Sequence, residues 1–353
     1  MKKQKQENVR KITSIGGSAL IEGIMMRGPK RTTVAVRVGK DEIYTEDVQV
    51  NSISKKLPFL KLPLLRGVGA LIDSMRLSYK SLMLSADKAI EAELVAADEP
   101  NKFEKWLNDK FGDKLMNIFM VLASVIGVAF ALLLFFFVPT FLFDLSSKFI
   151  PAFRGDSANV LFYKSVFEGI MKIVLFLVYI ILCSQLNDMK RVFMYHGAEH
   201  KTIFCYESEE ELTVENVKKH TRFHPRCGTS FIVLMLVVGI VIGLFIPVAP
   251  FGISVLRPVF KLLLLPLTCG IGYELIKICG RYNNKFTRII SAPGIWAQHI
   301  TTKEPDDDMI EVAIKAMMAV IPENGEDIIS CNKKPQEDKN DSKSTLQGNN
   351  TEA

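Results

Sequence analysis

The stretch IFMVLASVIGVAFALLLFFFV, residues 118–138, decides the fold. It carries no charged side chain, and it is about as long as a helix must be to cross a hydrocarbon core of about 30 Å. Three further apolar runs follow. Residues from about Val166 to Leu186 form a second candidate span, with Glu168 and Lys172 near its start at the i,i+4 spacing of an interfacial ion pair. A third runs from Phe231 to about Ala249 and carries Gly239-x-x-x-Gly243, a close-packing face for a neighbouring helix. The fourth, from about Val255 to Cys279, contains Pro266 and is polar at both ends (Arg257 and Lys261; Glu274 and Lys277).

Composition agrees with this reading. Of 353 residues 48% are hydrophobic, and the charges are crowded into a few segments. The expected fold class is therefore an α-helical membrane protein of about four transmembrane helices. The formal charge is only +6, with the basic residues flanking apolar runs. They are read as topology signals facing the lipid bilayer, and no nucleic-acid surface is expected. Lys and Arg concentrate before residue 114, in the 187–229 loop and after Lys277. The positive-inside rule then puts both termini and that loop on the cytoplasmic side of the plasma membrane. No apolar core follows the basic MKKQKQENVRK start, so no cleavable signal peptide is expected. Six irregularly spaced cysteines do not make a disulfide framework.

Outside the spans, residues 1–11 read as a mobile basic tail and 12–55 as a small antiparallel β unit, with turn signals at Gly28-Pro29 and Gly39-Lys40-Asp41. Residues 56–113 read as amphipathic and connector helices, and 114–280 as the bundle with its histidine-rich loop 187–229. Residues 281–324 form a cytoplasmic segment, turn-rich around Pro293-Gly294, with a short helix over 306–320. A disordered tail is expected over 325–353.

The chemistry concentrates in YHGAEHKTIFCYESEEELTVENVKKHTRFHPRCGT, residues 195–229, which holds four of the five histidines. His196 and His200 share one helical face and match two positions of a tetrahedral Zn²⁺ site. HGAEH also fits the H-x-x-E-H pattern. In such sites the glutamate, here Glu199, is the general base toward a water that the metal acidifies to a pKa of about 7. Candidates for the remaining ligands are His224 and Cys227 in HPRCG, and Glu274 near the inner end of the fourth span. Thr213 reads as the cap of a short helix that leaves His220 at its C-terminal end, the Glu209–Glu211 run with Glu207 as a solvated face, and His299 as unrelated.

The motifs GGSALIEGIMMRGP (16–29), YHGAEHKTIFCYE (195–207), HPRCGTSF (224–231), GYELIK (272–277) and PGIWAQHITTKEPDDD (293–308) resemble the YqhQ-like family of bacterial membrane proteins. That resemblance runs from about residue 12 to 320 and implies a multi-pass membrane location and a metal site, without a reaction. It favours His196, Glu199, His200, His224 and Cys227 over His220 and His299. Two hypotheses follow. One is a zinc-dependent hydrolase at the cytoplasmic membrane face, acting on a membrane-proximal peptide or a lipid-linked molecule. The other is a non-catalytic scaffold or transport-related protein, in which a structural zinc ties the loop to the bundle. The sequence leaves room for a homo-oligomer in either case.

Overall fold

The computed structural model describes residues 11–40, 42–49, 51–53, 57–62, 65–96, 118, 121–281 and 285–331. Residues 1–10 of the expected N-terminal tail over 1–11, the connector over 97–113 and the tail beyond 331 lie outside these residues, while Lys11 is the first residue of a strand and not part of a mobile tail.

The N-terminal β unit is an antiparallel meander of β2 (Gly16–Leu20), β3 (Gly23–Arg27), β4 (Thr32–Arg37) and β5 (Ile43–Asp47). Successive side chains of a strand point to opposite faces, and both faces of the central strands are buried. Ile24, Met26 and Ala35 pack on one side and Met25, Val34 and Val36 on the other. The first face is covered by helices α4 (Asn187–Glu207) and α10 (Asp307–Val320). The second is covered by α1 (Leu65–Ala96) through Leu77. The α1 helix thus continues through residues expected to be a connector.

Strand β1 (Lys11–Thr13) pairs antiparallel with β6 (Ile328–Cys331), so the disorder expected from 325 does not begin there. Asp327, fully buried, anchors this corner by accepting from Thr13 Oγ1 at 2.6 Å and Tyr206 OH at 2.9 Å.

The apolar part contains α2 (Val121–Ser146) and α3 (Ala158–Cys183), both long and apolar enough to cross a membrane. Helix α2 contains one π turn, Leu133–Phe137. The bent pair α7 (Leu256–Leu263) and α8 (Leu265–Arg281) meets that test only if taken as one span, with a 47° bend at Leu264. The third expected span is a shorter helix, α6 (Gly228–Gly243). Among the described residues the count is therefore two helices of that kind, or three with the bent pair, where about four were expected.

Several local expectations are corrected. Residues 285–301 form a continuous helix, α9 (Lys285–Thr301), and not a turn-rich segment. Proline 293 lies inside this helix, and Gly294 beside it lies flat against α6: a Cβ there would stand 2.5 Å from Ser230 Cβ. In the Gly239-x-x-x-Gly243 face, a Cβ at Gly239 would meet nothing within 4 Å. The close approach occurs at Gly169 instead, whose added Cβ would meet Ile240 Cγ1 at 2.1 Å. Glu168 pairs with Arg257 and Lys261, while Lys172 lies over the Phe136 ring at 4.5 Å, so the expected Glu168–Lys172 ion pair is not made.

Candidate metal centre

Helix α4 does not continue α3; Leu186, in extended conformation, separates them. Its middle, Gly197 to Cys205, is buried at every position. A surface helix buries one stripe, so burial all round means that α4 is wrapped. The wrapping elements are β2 and β3, α10, the 221–227 segment and the end of α9. Gly197 lets the last of these approach: a Cβ there would stand 2.0 Å from Lys303 O.

This wrapping fixes the imidazoles. His196 Nδ1 lies 2.8 Å from Thr301 O and His200 Nδ1 lies 2.5 Å from Arg222 O. A carbonyl oxygen only accepts, so both Nδ1 atoms carry protons and donate. In the neutral rings each Nε2 is then a free lone pair. His196 Nε2 is 3.2 Å from Cys227 Sγ, and ligand atoms of His196, His200 and Cys227 all lie within 4.8 Å of one another. Carbonyls that accept from a histidine's other ring nitrogen in this way are the usual company of a metal ligand.

Charge in the group is coupled. Burial alone would lift the Cys227 thiol, but His196 and His200 hold it well below the ordinary thiol range. Burial would likewise depress His196, yet the facing Cys227 sulfur and Glu199 lift it to about 9. Cys227 also caps the N-terminus of α6, accepting from Thr229 N at 3.4 Å. The partial positive charge of that helix end favours a thiolate.

Glu199 stands beside the three, 5% exposed, and burial raises its carboxyl above the usual range. It accepts from the Gly17 N–H of β2, and its Oε2 has no hydrogen-bond partner among the described residues. The β2 backbone comes this close because residue 17 is glycine; a Cβ there would lie 3.0 Å from Glu199 Cδ and 2.6 Å from Met25 O.

The other expected site residues fall differently. His224 packs its ring 5.4 Å from that of His200 but turns its nitrogens to Arg226, Nδ1 accepting from Arg226 N at 3.3 Å. Glu274 is held by both arms of Arg66 at 2.5 Å, apart from the cluster. His220 joins a second group with Cys205 and Glu210. There burial and then Glu210 push the Cys205 thiol up to about 11, which disfavours the anionic form a metal needs. Glu207, expected on a solvated face, is 2% exposed and pairs with Arg226 while accepting from Thr13 N.

Sequence reasoning missed Gln298. Fully buried on α9, it accepts from His224 N at 2.7 Å and donates to His224 O at 2.7 Å and Ser230 Oγ at 3.0 Å. This clamp holds the 224–227 turn that presents Cys227. The signal available was a glutamine in an otherwise weakly polar helix face.

Comparison with known proteins bears on this geometry. The family described as "Protein of unknown function (DUF1385)" matches residues 62–323. The chain belongs to the DUF1385 family. One relative within reach, the "Uncharacterized protein YqhQ" of Bacillus subtilis (strain 168), is 32% identical over 309 residues, covering 85% of this chain and 90% of the relative. No solved structure matches. The DUF1385 match includes every residue of the His196–His200–Cys227 group, and also Glu199 and Gln298.

Proposed function

We propose that this DUF1385 protein is a membrane-anchored, zinc-dependent hydrolase whose metal is held by His196 Nε2, His200 Nε2 and Cys227 Sγ, with Glu199 as general base. One observation carries the reading. Both histidines donate Nδ1–H to backbone carbonyls, which reserves Nε2 of each for a metal, and ligand atoms of the two rings and Cys227 lie within 4.8 Å of one another. Two imidazoles and a thiolate suit Zn²⁺, and three protein ligands leave one tetrahedral position for water or substrate. A cation held there supplies Lewis acidity to a substrate carbonyl or phosphoryl oxygen. Glu199 takes the proton from the attacking water: its Oε2 is unpartnered, and burial keeps its basicity above that of an ordinary carboxylate. The Gly17 N–H orients the carboxylate. Anchoring by the two crossings α2 and α3 at the plasma membrane, an even number that keeps both termini cytoplasmic, directs the site toward a membrane-proximal peptide or lipid-linked substrate.

The test does not need the substrate. The full-length protein is purified, its metal content measured, and Co²⁺ exchanged for the native ion. Loss of bound metal in His196→Ala and Cys227→Ser, a sulfur-to-cobalt charge-transfer band, and a shift of the cobalt spectrum on adding a hydroxamate are expected. A spectrum insensitive to hydroxamate means four protein ligands, and the structural-zinc reading then replaces the hydrolase.

One contact favours a second reading. Cys227 Sγ at 3.2 Å from His196 Nε2, on a helix N-terminus, is also the pairing of a cysteine nucleophile with its base. Metal-free protein as purified, with Cys227 alkylated rapidly by iodoacetamide at neutral pH, would select it over the zinc site.

A further inference from the structure

A second polar cluster lies among the apolar helices, away from the histidines. Its centre is Glu168 on α3, 1% exposed. Its Oε1 accepts from Thr140 Oγ1 of α2 at 2.8 Å, while Oε2 takes Arg257 Nε at 3.2 Å and also Lys261, both on α7. Arg257, fully buried, uses its remaining donors on Ser165 Oγ at 2.8 Å and on the carbonyls of Gly243, Ile246 and Pro247. A separate pair, Lys164 with Asp144 at 2.7 Å, closes one end with Ser254.

The charges do not balance. Among the described residues Lys164, Lys172, Arg257 and Lys261 face only Asp144 and Glu168, so four cations meet two carboxylates. Lys164 and Asp144 cancel, and the Arg257 donors are filled. What is left over sits on Lys172 and Lys261. Lys261 has Glu168 as its hydrogen-bond partner, and Lys172 has a ring face, Phe136, but no oxygen partner among the described residues. Oε2 of Glu168 already accepts twice and Oε1 once, and Lys172 makes no hydrogen bond to either among the described residues. Lys172 is near the middle of the 26-residue α3, about 21 Å from its start at 1.5 Å per residue. Surplus cations at that depth are expensive unless an anion joins them.

Backbone irregularities gather at the same level. The π turn Leu133–Phe137 carries the Phe136 ring that faces Lys172, and the 47° break at Leu264 follows Lys261 by three residues. Single π turns and broken spans recur where helices make room for ligands.

We propose that Lys172 and Lys261, framed by Glu168 and Arg257, form an oxyanion site between α2, α3 and α7, filled by a phosphate group. The site is independent of the histidine cluster and of the hydrolase reading. An anion accepting from both ammonium groups removes the charge surplus and supplies the oxygen that Lys172 lacks. Lys172 is only partly buried, so the site is not sealed. The phosphate belongs to a lipid headgroup or to free inorganic phosphate.

Full-length protein in phosphatidylcholine nanodiscs, in nanodiscs containing phosphatidylglycerol, and in phosphatidylcholine nanodiscs titrated with inorganic phosphate distinguishes the sources by thermal unfolding. A midpoint rise of about 2–4 °C is expected in one arm, the shift that a ligand near tenfold Kd produces in a chain of this size. Lys172→Gln and Lys261→Gln should abolish it. Lys172→Arg should keep it, which shows that loss is not misfolding. Arg288→Gln, an exposed basic site on α9, should also keep it. A rise with phosphatidylglycerol assigns a lipid headgroup, and a rise with inorganic phosphate assigns the free ion. No rise in either arm, or a rise that survives Lys172→Gln, overturns the site.

Discussion

Gly197→Ala is the substitution whose sign tests the wrapping of α4. In an open helix alanine stabilises relative to glycine by about 1 kcal/mol. At Gly197 the new Cβ would lie 2.0 Å from Lys303 O, a backbone atom with little freedom. Relieving this to an ordinary C···O contact of about 3.3 Å requires more than about 1 Å of separation between α4 and residues 301–305. Two of the bonds that span that seam lie beside Gly197: Lys303 N donates to Phe193 O at 2.8 Å, and His196 Nδ1 donates to Thr301 O at 2.8 Å. Losing both costs about 2 kcal/mol, and overpacking adds about 1–3. After subtracting the propensity gain, the expected net loss is about 2–4 kcal/mol, or roughly 3–5 °C in midpoint for a chain of this size. His196 would also lose the carbonyl that fixes its tautomer, so metal content should fall with stability. Thermal unfolding and elemental analysis of the purified variant measure both, with Gly239→Ala as control because its Cβ meets nothing within 4 Å. A Gly197→Ala protein as stable as the parent, with undiminished metal, would refute the argument that α4 is clamped by the 301–305 backbone.

Two further outcomes are expected. Gln298→Leu strands the buried N–H and C=O of His224 and should destabilise by about 2–5 kcal/mol, read by thermal unfolding, with faster hydrogen exchange confined first to 224–227. Glu304 bridges Lys201 at 2.7 Å and Arg222 at 2.8 Å; burial would raise its pKa, but those two donors depress it below the ordinary value of about 4.3. Its folded pKa is the lower one, so its stabilisation is present above about 4.3 and lost as pH falls through the folded value. The midpoint difference between parent and Glu304→Gln should therefore shrink as pH drops below about 4.3, and a difference constant with pH would mean that the bridge is not made in solution.

What the sequence disclosed depended on how local its cause was. The β meander, the Thr213 cap and the 306–320 helix were legible because turn glycines, cap residues and period are short-range signals; Thr213 does accept from Asn216 N at 3.3 Å. The juxtaposition of His196 with His200 follows from helical spacing alone. Residues 285–301 were misread because Pro293-Gly294 is locally a turn signal, whereas its meaning here is the flat contact with Ser230, more than sixty residues earlier in the chain. Glu274 was read locally as a candidate ligand, and the structure supplies Arg66 from α1 as its partner instead. The Glu168 partners were hidden for the same reason: Arg257 and Lys261 were assigned to the end of a different span.

The two polar centres are related through α6. Cys227 caps its N-terminus, and Gly243 at its C-terminus gives its carbonyl to Arg257 at 3.0 Å. The helix has 16 residues, about 24 Å at 1.5 Å per residue. Aligned peptide dipoles leave about half a positive charge at the first end and half a negative charge at the second. The chemistry at each end has the matching sign: a thiol held toward thiolate at the N-terminus, and a guanidinium with no exposed surface at the C-terminus. In an apolar surrounding these partial charges are weakly screened, so one short helix stabilises an anion at one centre and a cation at the other. This explains why α6 needs no charged residue of its own and why it is packed along its length, against α9 by Gly294 and against α3 by Gly169. It follows that shifting α6 along its axis disturbs both centres together. A bulky residue at Gly294, where Ser230 lies against the backbone, is the substitution that would couple loss of the thiolate environment at Cys227 to loss of the Arg257 anchor.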